Sequence, residues 1–184
     1  MAKGIVRLDK VRSVYNGHIE SMINESDDME NGMITHLGDL KSDEREIYEV
    51  KKPSSSEPNT IDEEPVLLVA APEVRYEEFS RADAALEKFY IEEGTPFRAY
   101  HLERGDIFSV SANMVDGEVG SGDIGDYVVP QDDSFKLNKS ASIGDAKFAG
   151  EILDIEKIGV EIPVGDEGDV GRINELIVIR VVQN

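Results

Sequence analysis

The sequence predicts a mainly β protein with one linking helix, built from two small antiparallel β units of barrel or sandwich type. Strand-like runs of about five residues recur along the chain, and turn-forming residues separate them about every 8–12 residues. Only one segment, residues 80–92, has its apolar residues at helical spacing. Short strands with frequent turns are typical of small barrels and sandwiches.

The first β unit is predicted to span residues 1–76. Asn31-Gly32 is a turn signal, because both residues tolerate a positive φ. Residues 65–70 are apolar on both faces and predict a central strand, whereas residues 53–60, rich in proline and serine, predict a flexible surface loop. The strands predicted in this unit are 5–8, 18–23, 33–37, 47–50 and 65–70.

Residues 77–93 are predicted to link the units through the helix at 80–92, which ends before Gly94. The second unit, 94–184, is predicted to be a barrel-like β unit. Its long loops are expected at residues 116–125 and 163–171, which are rich in glycine and acid. Its predicted strands are 97–102, 107–110, 127–129, 134–137, 148–158 and 176–182.

Composition excludes several classes of protein. There is no cysteine, so disulfides, thiolate catalysis and cysteine-based zinc sites are excluded. The net charge is −20, and direct nucleic-acid binding is not expected, because most of the surface repels phosphates. No apolar run approaches the roughly 18 residues of a membrane span, and residues 1–7 contain no apolar signal core. We therefore expect assembly in a reducing cytoplasm.

One stretch departs from the acidic average. Residues 3–12 contain Lys3, Arg7, Lys10 and Arg12 and a single acid, Asp9. One interpretation is a solvated first strand. The other is a basic arm that docks on an acidic surface, for instance that of another subunit.

Three histidines are the first place to look for chemistry: His18, His36 and His101. A zinc site would require them to converge with a carboxylate. Because each lies in a strand-like run beside apolar residues, we expect ordinary surface or core histidines and no metal. The sequence has no Gly-x-Ser-x-Gly elbow and no phosphate-binding glycine loop. It predicts neither an enzyme nor a cofactor.

Acidic residues in two glycine-rich segments are the second set of candidates for a functional site. Asp116, Glu118, Asp123 and Asp126 lie in one glycine-rich loop, and residues 166–169 form a second acidic group. Clustered oxygen ligands in such loops can bind calcium weakly, although Tyr127 occupies the position where an EF-hand needs its last glutamate. We expect these segments to be solvated turns. The alternative is a loop that binds calcium weakly.

The tripeptide Arg104-Gly105-Asp106 has the form of an integrin-binding motif. A match of three residues arises often by chance. Gly105 also has a plain structural role, because it lies between two predicted strands where the chain must turn. We therefore interpret the tripeptide as a turn.

Six segments, taken in order, resemble a family of head proteins from phages of Gram-positive hosts. Members of that family are minor structural or capsid decoration (cement) proteins. The resemblance covers nearly the whole chain and depends on the order of the segments. These are IVRLDKV (5–11), DMENGMITHLG (28–38), REIYEV (45–50), LLVAAPEV (67–74), residues 94–110 including FRAY (97–100), and KFAGEI (147–152).

The resemblance implies a virion protein that binds the exterior of an assembled capsid and bridges neighbouring subunits of the major capsid protein, commonly as a trimer. It implies no catalytic residues. Within this reading, residues 3–12 are hypothesised to contact the capsid and to be disordered in the free protein. A terminal arm that orders on binding could add a strand to an exposed sheet edge.

Three alternatives remain open at this stage. The chain could be another phage component, such as a head–tail connector or tail protein, and the number of copies per particle would distinguish that role. It could be a host-surface or carbohydrate-binding module, although it has no tryptophan and only 7% aromatic residues. A hydrolase using acidic residues has no positive support in the sequence.

Overall fold

The computed structural model describes residues 2–74, 86–163 and 169–184, without side chains between residues 160 and 172. As predicted, the protein is mainly β, with a closed barrel and a separate sheet. The two α-helices in these ranges, α1 (Ser13–Asn16) and α2 (Thr60–Glu63), are single turns. Neither they nor the other helical turns described are long and apolar enough to cross a membrane.

Five strands close the barrel, in the order β2-β4-β3-β5-β6. They are β2 (Ile19–Ile23), β3 (Ile34–Leu40), β4 (Ile47–Lys51), β5 (Leu67–Val69) and β6 (Phe97–His101). The predicted central strand is confirmed, because all three residues of β5 are fully buried. β2 pairs with β4 in parallel, whereas the pairing of β3 with β4 is antiparallel.

Seven strands form the sheet, in the order β1-β7-β12-β11-β9-β10-β8. Its pairings are antiparallel apart from β8 with β10. The strands are β1 (Val6–Lys10), β7 (Ile107–Ser111), β8 (Val115–Asp116), β9 (Tyr127–Pro130), β10 (Leu137–Ser140), β11 (Ala149–Pro163) and β12 (Asp169–Gln183).

Two hydrophobic clusters lie within the described residues, and the barrel and the sheet share the larger of them. Leu68 and Tyr100 of the barrel belong to the same buried cluster as Phe108 and Ile177 of the sheet. The side chain of Asn184, next to the end of β12, bonds to the barrel: its Oδ1 accepts from the Val66 N–H at 2.7 Å. The two β systems are thus joined by packing and by hydrogen bonds.

The strand pairing differs from the predicted division into 1–76, 77–93 and 94–184. β1 pairs with β7 of the sheet, although it was assigned to the first unit. β6 closes the barrel by pairing with β2 and β5, although it was assigned to the second. Both pairings join residues distant in sequence, and local apolar patterns carry no information about such partners.

The predicted helix at 80–92 is only partly within the described residues, since residues 80–85 lie outside them. Its second half is not an α-helix. Residues Leu86–Lys88 form a 3-10 turn, and Ile91 then forms a bridge with Met29. Phe89 and Ile91 pack into the core on the barrel's inner side, so burial holds this segment in an irregular path.

β11 and β12 are longer than the sequence predicted. They pair with each other from Ala149↔Gln183 out to Pro163↔Asp169. β7 pairs with β12 only at residues 176–180, and β9 pairs with β11 only at Gly150 and Glu151. Residues 157–163 and 169–175 therefore form a two-stranded extension, the distal ribbon, with no third strand beside it in the described part of the chain.

Candidate functional site

His18 and His101 face each other across neighbouring barrel strands. Ile19 pairs with Tyr100 in the antiparallel ladder of β2 and β6, which places His18, just before β2, opposite the last residue of β6. The two imidazole rings stack with their centroids 3.7 Å apart and their planes 9° apart. The ladder thus brings together two residues that are far apart in the chain.

Glu20 completes a group of three ligating side chains. Its Oε1 lies 3.0 Å from Nε2 of His101. One ligand atom from each of His18, Glu20 and His101 lies within 4.8 Å of the others, and within the residues described no other group of histidines and acids meets this spacing. His18 is exposed and the other two residues are partly buried, so the group is accessible from solvent.

The backbone around the histidines is anchored by α1 and the turn after it. The Ser13 hydroxyl donates to the carbonyl of His101. The His18 N–H donates to Oδ1 of Asn16 at 2.9 Å, and Gly17 adopts a φ of 76° where the chain turns into β2. A site built on paired strands with such anchors holds its side chains more precisely than one on a free loop.

The group lies at one end of the barrel's apolar interior. Glu20 pairs in register with Ala99, and Met22 pairs with Phe97. Because side chains alternate across a strand, these residues share one face with the histidine pair. Met22, Ala99 and Phe97 are buried in the second core cluster, so apolar packing borders the site on that side.

The third histidine is elsewhere and is fully buried. Nδ1 of His36 donates to the carbonyl oxygen of Pro65 at 3.0 Å. Its Nε2 is buried with no hydrogen-bond partner. Burial lowers the pKa of His36, because desolvation disfavours the imidazolium. His36 is therefore a buried core histidine, whereas His18 and His101 converge with a carboxylate.

Acidification is expected to destabilise the protein through His36. Its pKa is lower in the folded state than the usual value of about 6.5, so the unfolded chain binds more protons and the free energy of unfolding decreases as the pH falls below about 6.5. His36→Asn keeps a donor for Pro65 and cannot titrate. Between pH 7.5 and pH 5, urea unfolding should show a larger decrease in the free energy of unfolding for the parent chain than for His36→Asn. Equal decreases would contradict this assignment.

The basic stretch at residues 3–12 is ordered in the free chain, in contrast to the predicted disorder. β1 pairs with β7, and Ile5 and Val11 are buried at its two ends. The Ile5 N–H donates to the Ser111 hydroxyl at 2.9 Å. Apolar burial and strand pairing therefore hold this stretch in the sheet.

Three of its four cations are paired within the chain. These pairs are Lys3–Glu30 at 2.9 Å, Arg7–Glu156 at 2.7 Å and Arg12–Glu103 at 2.9 Å. Lys10 is exposed and has no ion pair in the described part of the chain. The stretch thus offers a partner less free positive charge than its composition suggested.

The proposed calcium ligands Asp116, Glu118, Asp123 and Asp126 are not brought into one metal-binding group. A lysine already lies in their loop: Nζ of Lys139 contacts Asp123 at 3.0 Å and donates to the Glu118 carbonyl at 2.7 Å. The pKa of Asp123 is lowered by a hydrogen bond from the Gly120 N–H and by Lys139. Of the second acidic group, residues 166–168 lie outside the described residues.

The Arg104-Gly105-Asp106 tripeptide is a turn, as expected. Gly105 has a φ of 92°, which favours glycine. Asp106 is 1% exposed, and its carboxylate accepts hydrogen bonds from the N–H groups of Glu103 at 2.8 Å and Arg12 at 3.3 Å. A carboxylate so engaged is not presented to a receptor.

No family model matches the chain, and no match was found among curated proteins or solved structures. The chemistry of the candidate sites therefore follows from the residues and contacts of the chain itself. Two features stand out: the His18–Glu20–His101 group and the distal ribbon.

Proposed function

We propose that this chain is a structural virion protein that binds the outer surface of an assembled phage capsid and stabilises it by bridging neighbouring major capsid subunits. The resemblance of six ordered segments to capsid decoration proteins suggests the partner. The single structural observation that carries the proposal is the distal ribbon, in which β11 and β12 continue beyond their neighbours in the sheet. This role requires binding and no catalysis.

The ribbon has the properties of an element that needs a partner. A two-stranded hairpin is marginally stable alone in water. Its outer edges carry backbone groups that can pair with another chain. Seven residue pairs, from Lys157↔Glu175 to Pro163↔Asp169, give a length of roughly 20 Å at about 3.3 Å per residue.

The exposed chemistry of the ribbon indicates the kind of surface it fits. Ile173 is 38% exposed, and the Lys157–Glu175 pair, with 3.3 Å between Nζ and Oε1, lies at its base. Residues 157–175 contain five acidic and two basic residues. We therefore expect the ribbon to lie along a basic groove or sheet edge of the capsid, with affinity gained by strand addition and by many copies per shell.

Shortening the ribbon tests this function. Replacing residues 159–173 with Asn-Gly joins Ile158 to its register partner Asn174 through a two-residue hairpin turn. The variant retains the sheet and the barrel, so it is expected to fold with the parent chain's circular dichroism spectrum. Its occupancy on purified heads lacking this protein is expected to decrease at least 100-fold, measured by co-sedimentation over a range of concentrations.

A second variant distinguishes the ribbon from the basic stretch. Lys10→Gln with Arg12→Gln removes two exposed cations and leaves the ribbon intact. We expect this variant to decorate heads like the parent chain and the shortened variant to fail. The reverse result would place the contact in residues 3–12, and full binding by both variants would contradict a role for either surface.

A further inference from the structure

We propose that His18, Glu20 and His101 form a binding site for a divalent transition-metal ion of the zinc class. Two imidazoles and one carboxylate are a recognised ligand set for such ions. Glu20 lies on β2, His18 directly precedes β2 and His101 ends the neighbouring strand β6, and one carboxylate oxygen is already 3.0 Å from an imidazole nitrogen. This site is independent of the capsid-binding proposal and does not involve the ribbon.

Metal binding requires the exposed His18 imidazole to rotate out of its stack on His101, because an ion lies in the plane of each imidazole that binds it. Zinc bonds to nitrogen and oxygen are about 2.0–2.2 Å long, so ligand atoms around a tetrahedral ion lie roughly 3.3–3.5 Å apart. The ligand atoms of the site lie within 4.8 Å of one another. His18 is exposed, and its imidazole can therefore rotate while the strands keep their register.

The ligand types select the class of metal. Calcium and magnesium prefer six or more oxygen ligands, and this group offers a single carboxylate. Imidazole nitrogen suits zinc, copper and nickel. Three protein ligands leave the fourth position of a tetrahedral ion for water or for a group from another molecule. The apolar packing of Met22 and Ala99 borders the site on one side.

A bound ion would cross-link the ends of two strands far apart in sequence. His18 precedes β2, and His101 ends β6. A ligand that binds only the folded state stabilises it in proportion to the logarithm of its concentration over Kd. The site is therefore expected to act as a staple that closes the barrel on its β2–β6 side.

Zinc titration of the tag-free chain tests the site. Isothermal titration calorimetry with ZnCl₂ is expected to give one ion per chain and a higher melting temperature. The double variant His18→Asn with His101→Asn keeps the net charge of −20 and so matches nonspecific attraction of the cation. We expect this variant to bind zinc at least 10-fold more weakly. Removing only an outer-shell partner of a metal ligand already costs roughly 10- to 100-fold in metal affinity. Single-site binding that is unchanged in this variant would overturn the proposal.

Two further measurements separate the site from a folding defect. His36→Asn, which alters the buried histidine, is the matched control and should bind zinc like the parent chain. In the parent chain, nuclear magnetic resonance should show zinc shifting the ring signals of His18 and His101 while those of His36 stay in place. Shifts at His36 alone, or at none of the three, would contradict the assignment without reference to any variant.

Discussion

Replacing Phe108 by alanine is expected to lower the free energy of unfolding by about 3–5 kcal/mol, the usual cost of deleting a buried aromatic side chain. Phe108 is fully buried in β7. It belongs to the core cluster that also contains Ile34 and Leu68 of the barrel and Ile177 of the sheet. The cavity left by alanine would therefore weaken both β systems at once.

Equilibrium unfolding in urea, followed by circular dichroism and by tyrosine fluorescence, measures this effect. The shared core predicts one transition for the parent chain and one transition, at lower urea, for the variant. Tyr15→Ala is the matched control, because Tyr15 is an aromatic residue with 83% exposure, and a change within about 0.5 kcal/mol is expected. Two separate transitions, with only one sensitive to Phe108, would contradict a common core.

Asn31→Ala is expected to cost about 2–4 kcal/mol. The fully buried Asn31 side chain acts as a substitute for a backbone strand: Nδ2 donates to the Ala71 carbonyl at 3.0 Å, and Oδ1 accepts from the Ala71 N–H at 2.8 Å. Alanine removes both bonds and leaves two backbone groups without partners, each costing about 1–3 kcal/mol when shielded from water.

The control for this prediction is Asn113→Ala. Asn113 is exposed and donates one bond to the Ala2 carbonyl at 2.8 Å, so a change within about 0.5 kcal/mol is expected. Thermal and urea unfolding of both variants give the comparison. If Asn31→Ala lowers the free energy of unfolding no more than Asn113→Ala does, water takes over the hydrogen bonds that Asn31 makes to Ala71.

The strands could be predicted from the sequence because their signal is local. Residues 67–69 are apolar on both faces and form a buried central strand. Asn31-Gly32 forms a turn in which Gly32 has a φ of 88°. The partners of the strands could not be predicted in this way. β1 pairs with β7 across about a hundred residues, and nothing in the local pattern of residues 5–11 indicates that neighbour.

The histidine group illustrates the same limit. Each histidine was recognised as a candidate ligand, but convergence depends on the register of β2 with β6, and a shift by one residue would turn His101 to the opposite face. The distal ribbon was missed for a different reason. Ile158, Val160 and Ile162 alternate with other residues, as is typical of a strand. Because Gly159 and Pro163 favour turns, the strand was predicted to end at residue 158 and a loop to begin at residue 163.

The basic stretch shows how composition can mislead about binding. One of the two interpretations of the four cations among residues 3–12 was a free docking arm, yet Lys3, Arg7 and Arg12 form ion pairs with acids brought close by the fold. With 39 acidic and 19 basic residues in the chain, acidic neighbours are common, although Lys10 has no ion pair in the described residues. Exposed ion pairs contribute little stability, about 0–1 kcal/mol each. Their main effect here is to reduce the charge available to a partner.

The most direct test of the proposed function is cryo-electron microscopy of heads decorated with the full-length chain. We predict density for the protein on the outer surface at repeated lattice positions, in hundreds of copies per particle, with the distal ribbon lying against a neighbouring major capsid subunit. Density confined to one vertex in about a dozen copies, or no density on the shell, would contradict the proposal that this chain is a capsid decoration protein.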